Sequence, residues 1–171
     1  MIRFNKEIQG TRESDHYATP SKFYQKIHKE FNFDYDPCPL RSTVDGLLTE
    51  WKGNIYINPP YSNIQPFLTK GIEEIRLGNA EICVYLIPIR SDTRYWHDII
   101  IPYATEIRFV KGRLNFNDVK SPAPFPCVLV IFDKTLKGTN LVVVTYNSIT
   151  YNALYKVLFN ALYTLLPAVR I

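Results

Sequence analysis

The stretch Asn54-Ile55-Tyr56-Ile57-Asn58-Pro59-Pro60-Tyr61-Ser62 decides how the rest of this chain is read. Asn54 to Ile57 are mostly β-branched or aromatic, with strand character, and the run stops at two successive prolines. Neither proline has an N–H to give to a sheet ladder, so the strand must end there. A segment of helical character, Asn63 to Leu77, follows. The corner between them therefore sits at the carboxyl end of a strand, where open α/β sheets place their ligands. It offers two acceptors, the Asn58 side-chain oxygen and the Pro59 carbonyl, and beside them the aromatic face of Tyr61. Two acceptors on one side match the two N–H donors of an exocyclic amino group on a planar ring, and they push electron density onto its nitrogen. Tyr61 could stack on that ring, as bases extruded from a duplex are stacked. A nitrogen so held can attack an electrophilic methyl without a strong base, because positioning and electrostatics do most of the work. Asn and Pro are also ordinary turn residues, so the tetrapeptide alone does not separate a site from a strand-capping turn.

The composition sets bounds. At 171 residues the chain fits one domain with a real core, and 46% hydrophobic with 21% charged residues describes an ordinary soluble globule. Twenty Lys and Arg against sixteen Asp and Glu leave a net charge of +4, a mild bias that permits a nucleic-acid partner without demanding one. Cys38, Cys83 and Cys127 are odd in number and widely spaced, with no CxxC, which points to neither a disulfide framework nor a zinc site. His16, His28 and His97 make no metal pattern with them and read as surface or local hydrogen-bonding residues. The start of the chain carries no apolar signal region, and no run of about 18 apolar residues is present, so an intracellular, cytoplasmic protein without a membrane partner is expected.

Taken in order, residues 1–15 are polar and charged and are expected to form a flexible arm, with residues 16–171 as a single domain. Thr19-Pro20-Ser21 predicts a helix start, followed by Phe23, Ile27 and Phe31 at helical spacing. Phe33 to Asp36 has strand character and is halted at Pro37-Cys38-Pro39; Asp36 is then either a holder of a polar ligand group or a plain turn former. About fifteen residues separate Pro39 from Asn54, too few for a β-α-β crossover, so the sheet runs almost directly from the Asp36 strand to the Asn58 strand. Trp51 reads as a lid over the core. Gly78-Asn79 closes the helix that follows the corner. Glu81 to Pro88 is a nearly continuous apolar run, as a buried parallel strand requires. A helix over Arg94 to Ile101 and strands over Glu106–Val110, Cys127–Phe132 and an adjoining Leu141–Tyr146 are expected, with an amphipathic helix over Ile149–Leu166. Glycine-rich phosphate loops and Ser-His-Asp patterns are absent, so nucleotide hydrolysis and dinucleotide binding have no support in the text of the sequence.

Several short elements then fall into one ordered set: Tyr17-Ala18-Thr19-Pro20, Asp34-Tyr35-Asp36-Pro37-Cys38-Pro39, Trp51, Asn58-Pro59-Pro60-Tyr61-Ser62, Leu86-Ile87-Pro88-Ile89-Arg90-Ser91-Asp92-Thr93, Gly112-Arg113-Leu114-Asn115-Phe116 and Ala123-Pro124-Phe125-Pro126. In this order they resemble the phage-type, Dam-like DNA adenine methyltransferases, over roughly residues 16–133. The resemblance implies an α/β fold, a Rossmann-like S-adenosylmethionine-dependent methyltransferase sheet reduced at one edge with helices on both faces. It implies methyl transfer from S-adenosylmethionine to the 6-amino group of adenine in double-stranded DNA. It makes Asn58, Pro59, Pro60 and Tyr61 the catalytic corner, with Ser62 assisting. Thr19, Pro20, Asp36, Pro37 and Asn58 would flank the cofactor. Arg90, Asp92 and Thr93 would line the rim, and Arg90, Arg94, Lys111 and Arg113 would meet DNA. No metal is implied. The glycine-rich cofactor loop of larger methyltransferases is missing, and no separate target-recognition domain fits in 171 residues. Amino methylation of RNA adenine or of DNA cytosine, and a non-catalytic DNA-binding relic of the same scaffold, are the alternatives.

Overall fold

Two helices, one before the Asn-Pro-Pro-Tyr corner and one after it, fix the layout in the computed structural model, which describes residues 17–40, 42–118, 122–134, 136 and 143–146. The expected arm, His16 and the helix expected over 149–166 lie outside these residues. Helix α1 (Ser21–Phe31) starts after Pro20 and closes on Asn32, whose left-handed φ of 48° lets its N–H reach the His28 carbonyl. Strand β1 (Gly53–Ile57) ends at the two prolines as expected, and α2 (Ile64–Arg76) follows. Gly78, with a φ of 78°, turns the chain out of α2 and into β2 (Ala80–Pro88).

Beyond β2 the chain makes a π-helical turn, Trp96–Ile100, that runs into a short α-turn, Ile101–Tyr103. The helix expected over Arg94–Ile101 is thus present but is not a regular α-helix. Pro102 has no N–H to offer the carbonyl four residues back, which disfavours an unbroken α-helix there. Strands β3 (Glu106–Val110), β4 (Cys127–Asp133) and β5 (Val143–Tyr146) complete a five-stranded sheet in the order β1-β2-β4-β3-β5. β4 is antiparallel to both its neighbours, whereas β1 and β2 are parallel to each other, as are β3 and β5. Two expectations are corrected here. The strand expected over Leu141–Tyr146, described as β5 over 143–146, does not adjoin β4; it pairs with β3, an outcome set by long-range register rather than local pattern. Phe33–Asp36 is not a full strand but a single parallel bridge from Tyr35 to Ile55, cut short by Pro37.

Registered residues of a parallel pair share a face of the sheet. Tyr56 is registered with Val84 and Ile57 with Tyr85, so the two tyrosines point to opposite faces. Tyr56 meets Tyr24 of α1 edge-on, at 5.1 Å between ring centres. Tyr85 donates to the Phe67 carbonyl inside α2 at 2.9 Å. Helices α1 and α2 therefore cover opposite faces. Gly71 makes the second contact possible, because a Cβ there would stand 1.9 Å from the Tyr85 hydroxyl. On the α1 face Arg108 of β3, only 5% exposed, pairs with Glu106 at 2.8 Å and Glu30 at 2.7 Å and lies over the Phe31 ring. Burial alone would lower its pKa; the two carboxylates outweigh that and hold the guanidinium charged. Trp51 is completely buried against Phe67 and is part of the core, not a lid over it.

The strand directions decide where the site can be. The Tyr35 bridge, β1, β2 and β3 all run the same way, so Asp36, Asn58, Arg90 and Lys111 leave the sheet at one edge. β4 runs against them, so the loop joining β3 to β4 lies at that edge too.

Candidate active site

The corner forms because β1 cannot continue through Pro59 and Pro60. The chain folds back at once, with the Asn63 N–H on the Pro60 carbonyl at 2.9 Å, and α2 begins. Asn58 is left at the strand end with its amide tied on one side only. Its Nδ2 donates to the Tyr17 carbonyl and to the Thr19 hydroxyl, the latter at 3.2 Å. Its Oδ1 is buried and has no hydrogen-bond partner among the described residues. A buried amide oxygen without a donor is costly, of the order of 1–3 kcal/mol, and an incoming N–H would relieve that cost. The Thr19 hydroxyl is itself held at 2.6 Å from the hydroxyl of Tyr56, the buried tyrosine on the α1 face.

Tyr61 is 5% exposed and lies in an aromatic cluster. The Tyr17 ring stacks on it, 5.2 Å between centres and 16° between planes. Phe125 stands perpendicular to both rings, at 5.4 Å from Tyr61 and 5.5 Å from Tyr17, and Phe116 stands edge-on to both. Burial pushes the Tyr61 phenol well above its ordinary range, so it is neutral near pH 7 and cannot serve as a base.

Two cavities flank this corner. One, of about 570 Å³, is lined by Tyr17, Ala18, Thr19, Asp36, Pro37 and Asn58, with Cys38, Leu40, Ser42 and Val44 to Gly46. Its size is that of a small-molecule site. The other, about 790 Å³, takes in Tyr61, Ser62, the start of α2, Arg90 and Tyr95. Asp36 does both things its sequence position allows. Its Oδ1 accepts the Cys38 N–H at 2.8 Å, closing the turn, while the side chain lines the first cavity. Burial pushes its carboxyl up to about 6, with the Cys38 N–H pulling the other way. The Cys38 thiol is pushed up in turn, first by burial and then by the charges of Asp36 and Asp45, so it is no nucleophile.

The far wall of the first cavity is the loop between Pro37 and Trp51. Gly46 lies so close to it that a Cβ there would stand 2.0 Å from the Pro37 carbonyl. The Gly46 carbonyl accepts from Trp51 Nε1 and from Thr49 Oγ1, each at 2.9 Å, so buried Trp51 braces the cavity from behind.

Of the residues singled out from the sequence, Thr19, Asp36, Pro37, Asn58 and Pro60 line the first cavity and Tyr61 and Arg90 the second. Pro20 opens α1, and neither it nor buried Pro59 lines either cavity. Arg94 is exposed and faces Asp98 at 3.8 Å; Lys111 is exposed; Arg113 donates to the Ala123 carbonyl at 3.2 Å. His28 is a local partner, accepting the Phe33 N–H at 3.2 Å, and His97 is exposed. Among the described residues no three His, Cys, Asp or Glu side chains gather as a metal would need. Sequence reasoning missed four contributors: the Tyr17 ring, Tyr56, Gly46 and Asn117. Asn117, at φ 58°, accepts the Ala18 N–H through its side chain and donates its own N–H to the Ala18 carbonyl, both at 2.8 Å. A glycine between two loop prolines and a distant tryptophan was a usable cue for the wall; the others depend on contacts across 37 residues or more.

Amide corner, aromatic face and adjoining cavity at the carboxyl edge of the sheet make the layout of an α/β enzyme whose small ligand and acceptor meet at a strand end. The particular family follows from comparison with known proteins. Residues 8–156 match the family described as DNA N-6-adenine-methyltransferase (Dam), and the chain belongs to it. It is 29% identical over 123 residues to a DNA N-6-adenine-methyltransferase of Haemophilus phage HP1 (strain HP1c1), an alignment covering 63% of this chain and 70% of the relative. The protein is an enzyme that methylates the 6-amino group of adenine in DNA, and its family implies S-adenosylmethionine as donor.

Proposed function

We propose that the reaction runs at the Asn58-Pro59-Pro60-Tyr61 corner, with S-adenosylmethionine in the first cavity and duplex DNA across the sheet edge. The single observation that carries this reading is the buried Asn58 Oδ1, tied down through its own amide nitrogen and left without a donor beside a cavity of ligand size. The residues fit the cofactor: Asp36 supplies a half-buried carboxylate for its cationic end, and Pro37, Thr19 and loop residues up to Gly46 shape the walls. Pro20 contributes through the helix start it sets. S-adenosylmethionine, when bound, supplies an electrophilic methyl on a sulfonium.

The chain's own residues do the rest. Asn58 Oδ1 and the Pro59 carbonyl accept from the adenine amino group and raise its electron density; Tyr61 carries the extruded ring. Neutral Tyr61 and the half-buried, protonated Cys38 thiol leave the surplus proton of the methylated nitrogen to water. Arg90, Arg94, Lys111 and Arg113, at or beside the carboxyl edge, hold phosphates. Arg113, already fixed on Ala123, also orders the β3–β4 loop. The five-stranded sheet, with the parallel β1-α2-β2 unit at one edge, is read as a Rossmann-like methyltransferase sheet that, among the described residues, has no strand beyond the Tyr35 bridge. We take residues 16–171 as one domain, working in the cytoplasm where DNA is accessible.

Transfer of labelled methyl from S-adenosylmethionine to duplex DNA, single-stranded DNA and RNA oligonucleotides, followed by nucleoside analysis, tests the substrate form. N6-methyladenine confined to duplex DNA is expected. Equal labelling of RNA would contradict the duplex assignment.

A further inference from the structure

One face of Tyr61, the ring that the proposed function gives to the target adenine, is already covered by the Tyr17 ring. That seat is complete: Tyr61 lies parallel to Tyr17 at 5.2 Å, and Phe116 and Phe125 stand edge-on to both rings. A ring centre 5.2 Å away leaves no room for a base between the two tyrosines, since offset stacking already brings them into contact. We propose that Tyr17 is the resting occupant of the target-base slot, competing with adenine for Tyr61 and swinging out when the base enters.

The backbone around Tyr17 allows this without dismantling the site. Ala18 is clamped by two hydrogen bonds to Asn117, Thr19 is held by Tyr56, and the Tyr17 carbonyl accepts from Asn58. These bonds use main chain or other side chains, so rotation about the Tyr17 Cα–Cβ bond clears the slot while Asn58 keeps its orientation. Tyr17 is half-buried and borders the first cavity, so its ring is not sealed in on every side. A filled slot shields the aromatic cluster from water when no base is present. Entry of a base then replaces one stacked ring by another, so the stack adenine gains on Tyr61 is partly cancelled by the one lost to Tyr17.

The inference rests on the Tyr61 assignment, and the test keeps the two apart. The probe is 2-aminopurine riboside, a fluorescent purine nucleoside quenched when stacked, titrated into the full chain with S-adenosylmethionine present. Removing the competitor with Tyr17→Ala is expected to tighten binding about three- to tenfold, the scale of one aromatic stack. Tyr17→Phe, which still fills the slot, is expected to match the native protein. Should Tyr17→Ala lose its cooperative melt, Tyr17→Leu, which has no ring to stack, takes its place with a smaller gain expected. Equal or weaker binding by the Tyr17 variant, or no quenching in it at all, overturns the inference. Quenching that persists when Tyr61→Ala is added would overturn the Tyr61 seat itself; quenching that needs Tyr61 but ignores Tyr17 sinks only the gate.

Discussion

Two buried tyrosines on neighbouring strands separate structure from function. Tyr85 faces α2, where its hydroxyl ends on the Phe67 carbonyl, a closed contact that pins helix to sheet. Tyr56 faces α1, where its hydroxyl ends on Thr19, whose oxygen in turn receives a hydrogen bond from Asn58. Burial raises both phenols well above their ordinary range, so both act as neutral hydrogen-bonding groups. The same residue type in the same sheet is a rivet on one face and the base of a positioning chain on the other. What differs is the partner at the end of the hydroxyl: a helix carbonyl goes nowhere, whereas a threonine hydroxyl passes the constraint on to the Asn58 amide, the group we propose meets substrate.

That contrast can be broken at its sharpest point by Asn58→Ala. Turnover is expected to fall about 10²- to 10³-fold, the usual loss on removing one preorganised hydrogen-bonding group. Melting should fall by only about 2–4 °C, because the deleted oxygen has no partner among the described residues and the loss is confined to the Nδ2 bonds to Tyr17 and Thr19. Labelled methyl transfer and a thermal melt on the same preparation check both halves.

Next in size is Asp36. Its folded pKa, about 6, lies above the ordinary 3.8, so the free enzyme holds a proton there that the unfolded chain gives up. Ionised Asp36 is therefore a burden on the free fold above about pH 6, relieved as pH falls towards 4. A cationic ligand prefers the ionised form, so cofactor affinity runs the opposite way, rising as pH climbs through about 6. Calorimetric titration with S-adenosylmethionine from pH 5 to 8 reads this directly. Asp36→Asn is expected to weaken binding about tenfold or more at pH 8 and to flatten the profile; a profile unchanged in the variant would remove Asp36 from the cofactor site.

Tyr56→Phe and Tyr85→Phe sharpen the comparison itself. The first is expected to slow methyl transfer several-fold through Thr19, and the second to leave the rate alone while lowering stability by about 1 kcal/mol. Reversed outcomes would erase the distinction between the faces. The smallest effect belongs to the cations at the sheet edge: Lys111→Ala should lower the salt slope of DNA binding by about one, uniformly across sequences.

The sequence made the corner readable because its causes are local. Two prolines end β1, a helix must follow, and the position of Asn58 is thereby set. Asp36 was readable for the same reason, standing between a strand-like run and Pro37. Elsewhere the deciding contacts are long-range. Nothing near 143–146 says that its partner is β3 rather than β4, because pairing is settled by register across the sheet. Trp51 looked like a lid because the Pro37–Trp51 loop has no period; only the close approach at Gly46 and the indole bond to its carbonyl turn the residue inward. The Tyr17 ring sits 44 positions from Tyr61, and sequence alone could not say that one covers the other.

The most direct test of the account is a double-mutant cycle of Thr19→Val and Asn58→Ala, read by single-turnover methyl transfer at saturating S-adenosylmethionine. If Thr19 acts by orienting the Asn58 amide, Thr19→Val slows the native enzyme about tenfold and has almost no effect once Asn58 is alanine. An equal loss in both backgrounds would contradict the positioning chain and leave Thr19 as a wall of the cofactor cavity alone.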